Sequence, residues 1–155
     1  MMAEAFTAGV RPGGLTDDTQ IRMLLCYLIK VTGPVKRDTM QGALLQEQLV
    51  NYFEFADALV EVEKQKLVTI DAEGRYTITQ KGSTVADTLA YDLPRTVRES
   101  AIHAVMQIRS WSHRAASNRA TVQEKDGKYS VVCTIGDMGS DVFRMELAMP
   151  DKLTA

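Results

Sequence analysis

Apolar residues recur at helical spacing in the first third of the chain and predict successive helices. Short segments that favour the end of a helix separate them. Thr16 is predicted to cap the first helix, and Asp17 and Asp18 are acids that favour a helix N-terminus. This helix is predicted to end at Gly33-Pro34. A second, shorter helix is predicted over residues 37–46. The buried sides of these two helices are predicted to consist of Ile21, Leu24, Leu25, Leu28 and Val31, and of Met40, Ala43 and Leu44.

The third predicted helix begins with a capping box. In Asn51-Tyr52-Phe53-Glu54, the Asn51 side chain caps the N-terminus and Glu54 reaches back to it. The helix runs to about Gln65, and its position after a tight connection is typical of a helix-turn-helix. Its apolar side is predicted to consist of Phe53, Ala56, Leu59, Val60 and Val62.

The period then changes from helix to strand. Residues 67–70 and 75–78 are strand-like, and residues 71–74 form a turn between them, so a β-hairpin follows the third helix. Such a hairpin is the wing of a winged helix-turn-helix. Thr79 is predicted to cap a further helix after it.

The C-terminal part combines one long helix with strands. Pro94 fits the first turn of a helix that runs to about residue 116. Strands are predicted over 120–125 and 129–136, joined by the hairpin dipeptide Asp126-Gly127. In the last strand apolar and other residues alternate, which predicts one buried face and one solvated face. The apolar members are Phe143, Met145, Leu147 and Met149.

The pattern therefore predicts an α+β protein in three parts. Residues 1–14 form a flexible N-terminal arm, residues 15–93 a winged-helix domain, and residues 94–155 a helix with a three-stranded antiparallel meander.

A stretch around the hairpin carries a family resemblance. Leu67-Val68 follows a helix that ends in Glu63-Lys64-Gln65-Lys66, and Tyr76-Thr77-Ile78-Thr79 with Gly82 follows the turn. These residues resemble the wing of bacterial winged-helix regulators such as the multiple-antibiotic-resistance and phenolic-acid-repressor families. Gly33-Pro34-Val35 and Asn51-Tyr52-Phe53 also resemble an uncharacterised winged-helix family of Gram-positive anaerobes, which has a C-terminal α+β extension.

The resemblance implies a DNA-binding transcriptional regulator whose third helix lies in the major groove, with the wing beside it. Helix-turn-helix proteins usually bind two half-sites as dimers, so a homodimer is expected. The C-terminal part would serve dimerisation or effector sensing. The residues expected to contact double-stranded DNA are Lys36, Arg37, Asn51, Tyr52, Lys64, Arg75 and Lys81.

Charge argues against this function. The net charge is −2; residues 1–92 carry 9 basic and 13 acidic residues, a balance of −4, and the remainder is +2. Asp57 and Glu61 are expected on the groove-facing side of the third helix, and Asp71 and Glu73 at the wing tip, where they would repel a polyanion. The alternative is therefore a winged-helix interaction module that binds no DNA and meets a basic protein partner.

The long helix contributes Arg98, Arg109 and Trp111, which we interpret as a dimer contact, an anionic-ligand surface, or the outer side of a helix that covers the sheet. His103 and His113 lie ten residues apart, about 15 Å along one helix, so they cannot share a metal ion. The sequence contains no motif of an enzyme, so we expect no catalysis, no cofactor and no metal.

Two cysteines in apolar runs, Cys26 and Cys133, are expected to be reduced thiols. We find no signal peptide and no apolar stretch of about 18 residues, so a cytoplasmic protein is expected.

Overall fold

The computed structural model describes residues 7–137 and 140–153, and within them the chain is α+β, with five α-helices and two three-stranded antiparallel sheets. The described residues up to Ile108 form one compact unit and those from Arg109 onward another. The elements are α1 (Asp18–Thr32), β1 (Val35–Lys36), α2 (Arg37–Gln46), α3 (Tyr52–Lys64), β2 (Val68–Ile70), β3 (Arg75–Ile78), α4 (Gln80–Leu89), a 3₁₀ turn (Ala90–Asp92), α5 (Arg95–Ser117), β4 (Asn118–Lys125), β5 (Lys128–Asp137) and β6 (Ser140–Met149).

Helix α1 forms the centre of the first core. Asp17 caps it rather than the predicted Thr16, because the Asp17 carboxylate accepts from the backbone amides of Thr19 and Gln20 at 2.7 and 3.1 Å. Gly33, at a φ of +71°, ends it in a conformation that favours glycine. The buried side is Ile21, Leu24, Leu25, Cys26, Leu28 and Ile29, so the predicted stripe is confirmed except for Val31, which is exposed.

Helix α3 packs against α1 with a different face from the one predicted. Phe53 and Val60, expected in the core, are 65% and 62% exposed. The prediction is confirmed for Leu59 and Val62 and wrong for Phe53 and Val60. Two apolar stripes overlap in the sequence, and the stripe with i, i+3, i+4, i+7 spacing is the one that packs. Its members are Phe55, Ala58, Leu59 and Val62.

The first sheet has the order β1–β3–β2. Strands β2 and β3 form the predicted hairpin, with Thr69 opposite Thr77. Strand β1, which the sequence analysis did not predict, adds two residues on the other side of β3, with Lys36 opposite Arg75. Because β1 leads directly into α2, the sheet fixes the start of α2 beside the hairpin.

The predicted N-terminal arm lies outside the described residues at positions 1–6. Its later positions are tied to the first unit, since the backbone amide of Arg11 donates to the carbonyl of Gln48 at 2.9 Å. The Arg11 guanidinium also lies 3.6 Å from the carboxylate of Glu47 and donates to Ser100 Oγ at 3.2 Å.

The second sheet has the order β4–β5–β6, so the predicted three-stranded antiparallel meander is confirmed. Cys133 on the central strand lies between Ala120 and Met145, and a bulge follows Ile135. The prediction that the apolar face of β6 is buried was wrong for the single chain, because Phe143 and Leu147 are 49% and 42% exposed.

Candidate nucleic-acid interface

The N-terminus of α2 has no side-chain cap and carries two cations. Its N-cap residue is Lys36, which makes no side-chain capping bond, whereas side chains cap α1, α3 and α4. Lys36 and Arg37 are exposed, and in the described part of the chain no hydrogen bond or ion pair engages either side chain. The first amides of a helix and the positive end of its dipole attract anions. Asp38 in the same first turn partly offsets that charge.

The sheet brings Arg75 next to Lys36, but its own hairpin already compensates the Arg75 guanidinium. Its Nε lies 2.8 Å from a carboxylate oxygen of Asp71, and Nη2 lies 3.3 Å from one of Glu73. The backbone amide of Arg75 donates to Asp71 at 2.8 Å, and this bond is the main cause that lowers the pKa of Asp71. Arg75 therefore closes the turn and adds little net positive charge.

The surroundings of Tyr76 contain both an acid and a cation. Burial raises the pKa of Tyr76, the negative charge of Glu63 raises it further, and the positive charge of Arg37 lowers it. The region near Arg37 is therefore mixed in sign.

The exposed side of α3 is more apolar than acidic. Phe53 and Val60 lie there, and the rings of Tyr52 and Phe53 meet edge to face at 5.4 Å between centroids. Lys64 supplies one positive charge, and Asp57 and Glu63 supply two negative charges. We call this exposed side, with its six residues Tyr52, Phe53, Asp57, Val60, Glu63 and Lys64, the α3 surface.

Two acids of α3 turn towards α1: Glu61, which was expected to face the DNA, and Glu54, the predicted capping partner of Asn51. Glu54 and Glu61 are half-buried and line a groove of about 290 Å³ together with Asp18, Arg22 and Asp57. Arg22 lies 3.4 Å from Asp18 across one turn of α1. Of the acids that argued against DNA, Asp57 remains on the α3 surface, and the exposed Glu63 adds a second acid there, so this surface keeps a net negative charge.

Two residues expected to contact nucleic acid are used within the fold. Asn51 is buried; its Oδ1 accepts from the Phe53 amide at 2.9 Å, and its Nδ2 donates to the Ala8 carbonyl at 2.6 Å. The Lys81 ammonium donates to the Gln65 carbonyl at 3.0 Å, at the C-terminal end of α3. The structure thus leaves Lys36, Arg37, Tyr52 and Lys64 as exposed members of the predicted set, with Arg75 ion-paired beside them.

The residues predicted as a dimer or ligand surface fall in different units. Arg98 belongs to the first unit, where its guanidinium carbon lies 5.6 and 5.2 Å from the ring centroids of Tyr27 and Tyr91. Within the described residues its Nε is buried and has no hydrogen-bond partner. Arg109 and Trp111 belong to the second unit, and Trp111 is 49% exposed.

Sequence reasoning missed two features of this site. One is the uncapped start of α2, which was detectable because Lys36 is not one of the residue types that cap helices. The other is the exposure of Phe53 and Val60, for which the spacing of Phe55, Ala58, Leu59 and Val62 was the available signal.

Among the described residues, no three His, Cys, Asp or Glu side chains gather in a metal-binding group. None of the helices in the described ranges combines the length and the apolar character needed to cross a membrane.

One family model matches the chain. It carries the description "Domain of unknown function (DUF4364)" and covers residues 21–155, so the chain belongs to this family. No curated protein and no solved structure matches the chain.

Proposed function

We propose that this member of the DUF4364 family is a winged helix-turn-helix regulator that binds double-stranded DNA as a homodimer in the cytoplasm. Helices α2 and α3 would form the helix-turn-helix, and the β2–β3 hairpin would be the wing. The observation that carries the proposal is the start of α2, where a helix N-terminus without a side-chain cap occurs together with the exposed Lys36 and Arg37. Two free thiols, Cys26 and Cys133, fit a reducing compartment.

A DNA phosphate is the ligand that suits the start of α2. Backbone amides and cations at the first helix of the motif hold the phosphate backbone and so set the position of the second helix in the groove. On the α3 surface, the exposed Tyr52 would donate to a base edge, and Phe53 and Val60 would offer apolar contact to a thymine methyl group.

The charge balance sets the strength expected of this binding. If Lys36 and Arg37 each neutralise one phosphate, the logarithm of affinity falls with that of salt at a slope of about −1.8 per protomer. Raising salt from 50 to 200 mM would then weaken binding roughly 12-fold for one protomer and roughly 150-fold for a dimer. This salt dependence is modest because the surface around Arg37 carries charges of both signs.

Fluorescence anisotropy with mixed genomic duplex fragments at 50 and 200 mM salt tests the proposal. The variant Lys36→Ala/Arg37→Ala should bind more weakly and lose most of the salt slope. The control Lys125→Ala/Lys128→Ala removes the same charge from the exposed β4–β5 hairpin and should bind like the wild type. Equal losses in both double variants would mean that binding follows net charge alone, which would refute the assigned contact.

A protein-interaction module without DNA binding is the second candidate, and the exposed Phe53 and Val60 favour it. Large apolar side chains rimmed by charges are typical of protein-binding surfaces. The neighbouring acids Asp57 and Glu61 would suit a basic partner. If the wild type binds no duplex even at 50 mM salt and Asp57→Ala/Glu61→Ala gains binding, this second function replaces the first.

A further inference from the structure

One face of the second sheet is almost wholly apolar. Side chains alternate along each strand, so the register of the three strands fixes which residues share a face. We call this side the Cys133 face, after the residue at its centre. Its rows are Ala120–Cys133–Met145, Val122–Val131–Leu147, Asn118–Ile135–Phe143 and Glu124–Tyr129–Met149.

The opposite face of the same sheet is mostly polar. It carries Thr121, Gln123, Ser130 and Thr134 along with charged side chains. Its apolar members are Ala148 and Val132, and Val132 at the centre is buried. The charged members are Arg119, Lys125, Lys128, Arg144 and Glu146. The polar face is stable in contact with water, whereas exposure of the apolar Cys133 face to water is unfavourable, so we expect the Cys133 face to be covered.

Nothing in the described residues covers the Cys133 face fully. Val122, Ile135, Phe143, Met145 and Leu147 are 40–51% exposed. At roughly 150–200 Å² for a large apolar side chain, these five alone expose about 400 Å². The half-buried Val131, Cys133 and Met149 bring the apolar area to about 500 Å², near the upper end for the largest patch on a soluble monomer.

We infer that a second copy of this chain covers the Cys133 face, so that two sheets stack face to face about 10 Å apart as a sandwich. Two copies would bury about 1,000 Å² in total, which reaches the lower limit of area for a biological interface. Charge is also compatible with self-association. The one charged residue among the positions of this face, Glu124, lies in the last row, so no like charges meet at the centre.

This surface differs from the helical one that the sequence predicted for a dimer, at Arg98, Arg109 and Trp111. It also does not depend on DNA binding, because the argument uses only the sheet. If DNA binding fails, the sheet dimer still stands, and if the sheet dimer fails, Lys36 and Arg37 can still bind phosphate.

The test is the molar mass of the full-length protein without DNA, measured by sedimentation equilibrium across micromolar concentrations. The wild type is expected to form dimers. Leu147→Asp places two carboxylates in the apolar interface, one from each copy, and should raise the dimer Kd at least about 100-fold. Its control is Ala148→Asp, the next residue on the polar face, which should leave the Kd within a few-fold.

A second pair of variants, on the other edge strand β4, distinguishes loss of the interface from misfolding of β6. Val122→Asp should also abolish dimers, and Gln123→Asp should not. Circular dichroism must show wild-type secondary structure for each variant that is used. A monomeric wild type at 100 μM would overturn the inference, and so would dimers that persist in folded Leu147→Asp and Val122→Asp.

Discussion

Replacing Gly82 with alanine tests how tightly α4 packs on the first sheet. Gly82 lies in the first turn of α4, and its amide donates to the Oγ1 of Thr79, which caps the helix, at 3.1 Å. A Cβ added at Gly82 would lie 2.0 Å from the carbonyl oxygen of Leu67 and 2.7 Å from Ile78 Cδ1. The Leu67 oxygen is backbone, so the helix itself would have to move.

The expected change in the free energy of unfolding is the sum of one favourable and two unfavourable contributions. Alanine favours a helix over glycine by up to about 1 kcal/mol. Against this, overpacking costs about 1–3 kcal/mol. Shifting α4 would also weaken the two bonds from Thr79 to the Leu67 carbonyl, 3.1 Å from its amide and 3.0 Å from its hydroxyl, each worth about 1 kcal/mol. We expect a net loss of about 2–4 kcal/mol, or roughly 10–20 °C in Tm for a unit of this size.

Gly42→Ala is the matched control, because Gly42 is also helical and its added Cβ would meet only Ile108 Cδ1, at 3.3 Å. That atom is the end of a flexible side chain, so Gly42→Ala should change the free energy of unfolding by about 1 kcal/mol or less. Urea unfolding followed by circular dichroism measures both variants. If Gly82→Ala unfolds at the same urea concentration as the wild type, the close contact between α4 and Leu67 is wrong.

Two further predictions concern buried polar groups of the first unit. Asn51→Ala removes the cap of α3 and the bond to Ala8, and should lower the free energy of unfolding by about 1–2 kcal/mol in urea titration; Asn51→Asp, which keeps the capping oxygen, should lose less. Burial raises the pKa of Cys26 from 9.0 to about 11. The neutral thiol therefore contributes fully to the stability of the fold below pH 9, and this contribution is lost as pH rises towards 11. Unfolding free energies should therefore fall between pH 9 and 10.5 more steeply in the wild type than in Cys26→Ala, and parallel curves would contradict this.

The helices and hairpins of this chain were predictable because their signals are local. Asn51 and Thr79 cap the helices that the sequence assigned to them, and Asp126-Gly127 joins the strands it was expected to join. The strand β1 was not predictable in this way. Its two residues have no period of their own and become a strand only through pairing with β3.

The candidate site was less predictable than the fold, because its outcome depends on tertiary packing. Asn51 and Lys81 are polar residues of types that often contact ligands, but each side chain has a partner within the fold. Lys36 and Arg37 remain exposed because no element lies over the start of α2 in the described chain. Burial of the Cys133 face could not be inferred from alternation, since alternation predicts an apolar face without saying what covers it.

The pairing of β1 with β3 has a mechanical consequence. Two residues of sheet join the start of α2 to the hairpin, so Lys36 and Arg75 cannot separate without breaking the ladder between them. A force on the hairpin turn is therefore transmitted to the first turn of α2 over a single strand width of about 5 Å. We therefore expect the hairpin and the start of α2 to move together, so that a ligand bound to one of them also fixes the position of the other.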